Sequence, residues 1–116
     1  MTDEKRREPR FDTLSLNLFV YDNLGNSLLG TLVNLSRSGL MILGNIESEP
    51  GGVLQIDLRN GSSPDAPILP LGIKVSWTSA ANTAGSYWIG ARIIDLTEED
   101  REKFETILRE AEAVSA

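Results

Sequence analysis

The sequence contains neither cysteine nor histidine. Without thiols there can be no disulfide framework and no thiolate metal site, and a reducing compartment is permitted. Without imidazole, the usual zinc sites, histidine general bases and serine–histidine triads are excluded outright, and most hydrolase chemistry goes with them. The carboxylates show no metal-ligand spacing, so neither a metal nor a carboxylate-built phosphodiesterase is expected, and no residue is a candidate for catalysis. No run approaches the roughly 20 apolar residues of a membrane span, and the first residues lack the apolar core of a secretory signal. A cytoplasmic protein with no membrane insertion is expected. Aromatics are sparse at 6%, and acids outnumber bases by 17 to 11 for a net charge of −6. An acidic body of this kind repels polynucleotides, which makes DNA and RNA poor partners.

What remains is ordinary globular composition, with 116 residues and 41% hydrophobic content, enough for one core. Residues 1–10 are charged and polar, with Lys5, Arg6, Arg7 and Arg10 crowded together, and are expected to form a mobile basic segment ahead of a domain over 11–116. Period-two alternation then marks six strands, over 14–21, 28–35, 40–43, 54–58, 69–77 and 87–93. Turn residues separate them, at Asp22-Asn23-Leu24-Gly25-Asn26, in 44–52, in 59–67 and around Gly85. No crossover helices intervene. The pattern suggests an all-β antiparallel barrel or sandwich, which closes or protects edges that would otherwise pair with other molecules. One helix follows, with Thr97 as N-cap and Phe104, Ile107, Leu108 and Ala111 as an apolar stripe that either covers the barrel or docks on another protein.

Two segments carry candidate chemistry. With an extended backbone, Arg6 and Arg10 share parity about 13 Å apart and can close around a phosphate-bearing ligand. The alternative is a solubilising tail. Asn34 and Ser36 also share parity, roughly 6 to 7 Å apart, and present an uncharged amide and hydroxyl to the polar edge of a base. Gly39 is expected to reverse the chain through a positive φ. The competing interpretation is a serine-rich turn that caps its own backbone. Trp77 ends the fifth strand and offers a stacking surface, worth about 1 to 3 kcal/mol per base, although its phase with Leu71, Ile73 and Val75 argues for the core. Trp88 falls in the opposite phase, which leaves it for the face under the helix.

Arg6-Arg7-Glu8-Pro9-Arg10 followed by Asn34-Leu35-Ser36-Arg37-Ser38-Gly39 resembles the PilZ domain family, whose signature is Arg-x-x-x-Arg and then Asp/Asn-x-Ser-x-x-Gly. Val75-Ser76-Trp77, Ile89-Gly90-Ala91 and the terminal helix extend the resemblance over residues 6–110. The resemblance implies a six-stranded antiparallel barrel with a C-terminal α-helix that binds the bacterial second messenger cyclic di-GMP and passes the signal to a downstream protein partner. It assigns phosphate and guanine O6/N7 contacts to Arg6 and Arg10, the other guanine edge to Asn34 and Ser36, and close backbone approach to Gly39. Arg7, Arg37 and Trp77 would be helpers. Arginine does pair bidentately with guanine O6/N7 and with phosphate. The expected output is ordering of the N-terminal arginine segment onto the barrel. The alternative implied function is a protein-interaction adaptor of the same fold that takes no nucleotide.

Overall fold

Leu18 and Val20, Leu40 and Ile42, and Leu71, Ile73 and Val75 alternate along their strands with more exposed neighbours or with glycine, and every one of these seven is at most 4% exposed. A sheet that buries one face this completely must curl onto itself or find a second layer. The chain curls. The computed structural model describes residues 8–115. Its strands are β1 (Phe11–Asp12), β2 (Leu18–Asp22), β3 (Leu28–Leu35), β4 (Gly39–Gly44), β5 (Val53–Asn60), β6 (Leu69–Ala80) and β7 (Tyr87–Asp95), followed by helix α1 (Glu98–Ser115). The order is β1-β3-β2-β5-β6-β7-β4, and an additional β3–β4 pairing joins the two ends. The six long strands thus form a closed antiparallel barrel, one of the two architectures the periodicity allowed and the one the family resemblance implied, and the two-residue β1 extends β3 at its C-terminal end.

Helix α1 covers one end of that barrel. The Thr97 hydroxyl accepts the Asp100 N–H at 3.2 Å and donates to the Asp100 carboxylate at 3.0 Å, which fixes where the helix begins. Phe104, Ile107, Leu108 and Ala111 are all buried, and the first three join the barrel's own core cluster. The helix therefore packs on its own barrel, chiefly against β1, β6 and the turn that precedes β2. Among the described residues no helix is long and apolar enough to cross a membrane.

Several strand assignments change. Leu14–Leu16 is a 3-10 turn rather than the start of a strand, and Leu14 is 56% exposed. Thr13 is buried with its hydroxyl on the Leu32 carbonyl at 3.0 Å, the Leu14 N–H is taken by Asp12 Oδ1 at 2.8 Å, and Asn17 adopts φ +58°. Asparagine tolerates that left-handed conformation, and it re-aims the chain into β2. The fourth strand runs on through Arg59 to Asn60, which shortens the loop expected after it. Trp77 is not in the core: the pairing slips between Val75 and Trp77, Ser76 is left over, and the indole emerges 44% exposed on the outer face. One extra residue reverses every side chain beyond it. Trp88 lies opposite Leu43 and Ser79 toward the end of β4, whereas α1 packs chiefly on β1, β6 and the turn before β2.

Candidate functional site

The register assembles an outer-face row from strands distant in sequence. Asp12 faces Asn34, Asn34 faces Met41, Met41 faces Gly90, and Gly90 faces Trp77. Directly opposed residues share a face, so Asn34 and Trp77 lie on the same side of the barrel wall with Met41 and Gly90 between them. Gly90 is required there because a Cβ would overlap the Trp77 ring. Arg10 precedes Asp12 by two residues and projects to the same side, where its Nη1 donates to Asn34 Oδ1 at 3.0 Å. Arg10 and Asn34, 24 positions apart, are thereby brought together.

The turn between β3 and β4 is built mostly from its own atoms. The Ser36 N–H donates to the Gly39 carbonyl at 2.8 Å, the Ser36 hydroxyl accepts the Gly39 N–H at 3.1 Å, and the Ser38 carbonyl accepts the Ile93 N–H at 2.8 Å. Ser36 is only 2% exposed and lies past the end of β3, so it does not share the open face of Asn34 as strict alternation had implied. Gly39 is also explained differently. Among described glycines only Gly51 and Gly85 have positive φ. Gly39 instead lies so close to β7 that a Cβ would stand 2.8 Å from the Ala91 carbonyl oxygen. Its special demand is close approach and not a left-handed turn.

Charge gathers around this turn. Arg37 Nη1 contacts Glu105 Oε2 of α1 at 2.7 Å, with the arginine side chain 62% exposed. Ser38 donates both its N–H, at 3.1 Å, and its hydroxyl, at 2.6 Å, to Glu8 Oε1. The Ser38 hydroxyl is the largest influence holding the Glu8 carboxyl below its ordinary value, with the Ser38 N–H, the Ser36 hydroxyl and the Arg37 charge acting the same way against partial burial. An open groove of about 310 Å³ runs from Glu8 and Phe11 past Arg37 to Glu105 and Leu108.

Arg6 and Arg7 lie outside the described residues, as does most of the segment expected to be mobile. Its end is described, and there Glu8 and Arg10 already touch the barrel. Three residues escaped the sequence reading. Glu8 shares parity with Arg6 and Arg10, a signal that was legible. Exposed Arg92 faces Gly39, and exposed Lys74 faces Arg92, which places two more cations beside the row. Their outward phase in the last two strands could have shown them. Among the described residues no group of three acidic, histidine or cysteine side chains could hold a metal. What the arrangement offers is hydrogen-bond donors, cations and one exposed indole, which suits holding an anionic aromatic ligand.

Comparison with solved structures finds a likeness to the "PilZ domain with c-di-GMP of YcgR from Escherichia coli", with a TM-score of 0.69 and 18% identity over 95% of this chain and 93% of that one. At such identity the likeness speaks to the fold. A comparison with curated proteins returned no match. The family model described as the PilZ domain matches residues 4–110, nearly the whole chain, and the protein is therefore a member of the PilZ domain family.

Proposed function

We propose that this domain binds cyclic di-GMP on the outer face of β3, β4, β7 and β6, and that the arginine segment closes over the bound messenger. The observation that carries this is the Arg10–Asn34 hydrogen bond, which joins the first motif to the second in the row that ends at Trp77. Arg6 and Arg10 hold phosphate and the guanine O6/N7 edge. Asn34 presents its amide to the other edge, Ser36 and Gly39 keep the turn in shape against β7, and Trp77 offers its open ring face to a base. Arg7 and Arg37 supply supporting charge. Family membership supports the choice of messenger, as does the related YcgR domain, whose structure is described with that ligand.

The output is conformational. Fixing about five residues costs on the order of 5 to 10 kcal/mol of backbone freedom, against roughly 1.5 to 3 kcal/mol per charge-assisted bond, so several contacts must form together. The closed arm then presents a new surface to a downstream protein in the cytoplasm. Calorimetric titration with cyclic di-GMP tests the assignment: Arg6→Ala, Arg10→Ala and Asn34→Ala should each weaken binding by about 10- to 100-fold. No uptake by the parent at micromolar ligand would reduce the domain to a nucleotide-free adaptor, and full affinity in Arg10→Ala would move the messenger off the face that Arg10 shares with Asn34.

A further inference from the structure

We propose that the backbone amide and hydroxyl of Ser38 form an oxyanion subsite that the chain fills with its own Glu8 carboxylate, and that a phosphate oxygen of the messenger must displace it. The proposal rests on the cyclic di-GMP assignment above. Both Ser38 donors converge on one oxygen, Glu8 Oε1, at 3.1 and 2.6 Å. Convergent N–H and O–H donors on a single anionic oxygen are what a phosphate requires, and the turn that carries them is anchored. The Ser38 carbonyl is tied to Ile93 at 2.8 Å and the Gly39 N–H to Ser36 Oγ at 3.1 Å, so the Ser38–Gly39 peptide, next to the one that carries the Ser38 N–H, is pinned on both sides.

The surroundings favour an anion. Arg37 is the residue immediately before Ser38, and Arg10 stands two residues beyond Glu8 with its guanidinium on Asn34. Glu8 sits between the two arginines of the first motif, so no movement of that arm onto a ligand leaves its carboxylate unaffected. A carboxylate and a phosphate cannot share the same two donors, and as neighbours they repel. Glu8 is thus an internal competitor that sets the threshold for messenger binding. Its release also frees the segment to rearrange.

Titration of the parent, Glu8→Ala and Glu8→Gln with cyclic di-GMP tests this, with Asp65→Asn in the exposed loop between β5 and β6 as the control for net charge. Glu8→Ala should bind about tenfold more tightly, Glu8→Gln by an intermediate factor, and Asp65→Asn within about twofold of the parent. Without ligand, the Ser38 amide should exchange its hydrogen faster in Glu8→Ala than in the parent, and cyclic di-GMP should restore the protection. Parent binding with no gain, or a loss, in Glu8→Ala overturns the competition while leaving the ligand assignment in place. A Ser38 amide left unprotected by bound ligand overturns the subsite. No uptake by either form overturns both readings.

Discussion

Ala91 places a carbonyl oxygen 2.8 Å from where a Cβ of Gly39 would stand, and that oxygen belongs to a strand backbone that cannot swing away. Gly39→Ala must therefore push β4 from β7 or flatten the turn that fixes Ser36 and Ser38. A cost of about 1 to 3 kcal/mol in chemical denaturation is expected, with the Ser36 and Ser38 amide resonances displaced. A variant as stable as the parent would show that β4 and β7 have slack. The sequence marked Gly39 as the residue that reverses the chain through a positive φ, and that reason was the wrong one. Close approach comes from a strand 52 positions away in the chain, and local turn chemistry carries no trace of it. Trp77 was misplaced for a related reason. Alternation put it in the core, and the single slipped residue at Ser76 that turns it outward leaves no mark on apolar periodicity. Glu8 was legible from parity alone, whereas its partner Ser38 depended on how the turn folds.

At the scale of elements, the largest polar feature inside the structure lies away from the candidate site. Arg59 on β5 is 7% exposed and Asp57 is 4% exposed, and the two are paired at 3.2 Å. The guanidinium also reaches Asn26 Oδ1 at 2.6 Å and the Pro64 carbonyl at 2.9 Å, and lies 4.4 Å from the centre of the Tyr21 ring. One side chain on β5 thus ties the β2–β3 turn to the loop after β5. Arg59→Met keeps the length but leaves Asp57 buried without a counter-charge. A loss of about 3 to 5 kcal/mol is expected, and Asp57→Asn in the same chain should recover part of it. A double variant no better than the single would mean that the ties to Asn26 and Pro64 matter more than the ion pair. None of this cluster was legible in sequence. Arg59 looked like the first residue of a loop because it precedes Asn60 and Gly61, and Asp57 like an ordinary outward strand residue. Strands and helix were legible where burial follows period, as from Leu69 to Val75 and from Phe104 to Ala111. They were lost where an asparagine at φ +58° substitutes for continued strand.

For the molecule as a whole, a closed barrel with a helix over one end leaves little of the fold free to move, so a ligand confined to the outer wall should act mainly by mass action on stability. At a free concentration of 100 times its Kd, a ligand bound only by the native state contributes about 2.7 kcal/mol, which for a domain of this size raises the melting temperature by about 10 °C. That rise should be the same at pH 6, 7 and 8. Arginine, asparagine and serine do not titrate there. Among the described residues Glu8 is the one contributor with a displaced carboxyl, and its folded value lies below the ordinary 4.5. A lowered carboxyl stabilises the docked Glu8 at any pH above the unfolded value and loses that stabilisation only as pH falls through the folded one. Among the described residues the charges near it are Arg37 on the serine turn and, across the groove, Glu105, Arg109 and Glu112 on α1. Between pH 6 and 8 the competitor is therefore fully ionised, and the threshold it sets is constant. Scanning calorimetry with and without cyclic di-GMP at the three pH values reads this directly. A ligand-dependent rise that doubled or halved across the range would point to a titrating contact that neither arginine segment nor serine turn provides. A rise that persisted in Arg10→Ala would place the messenger elsewhere on the barrel.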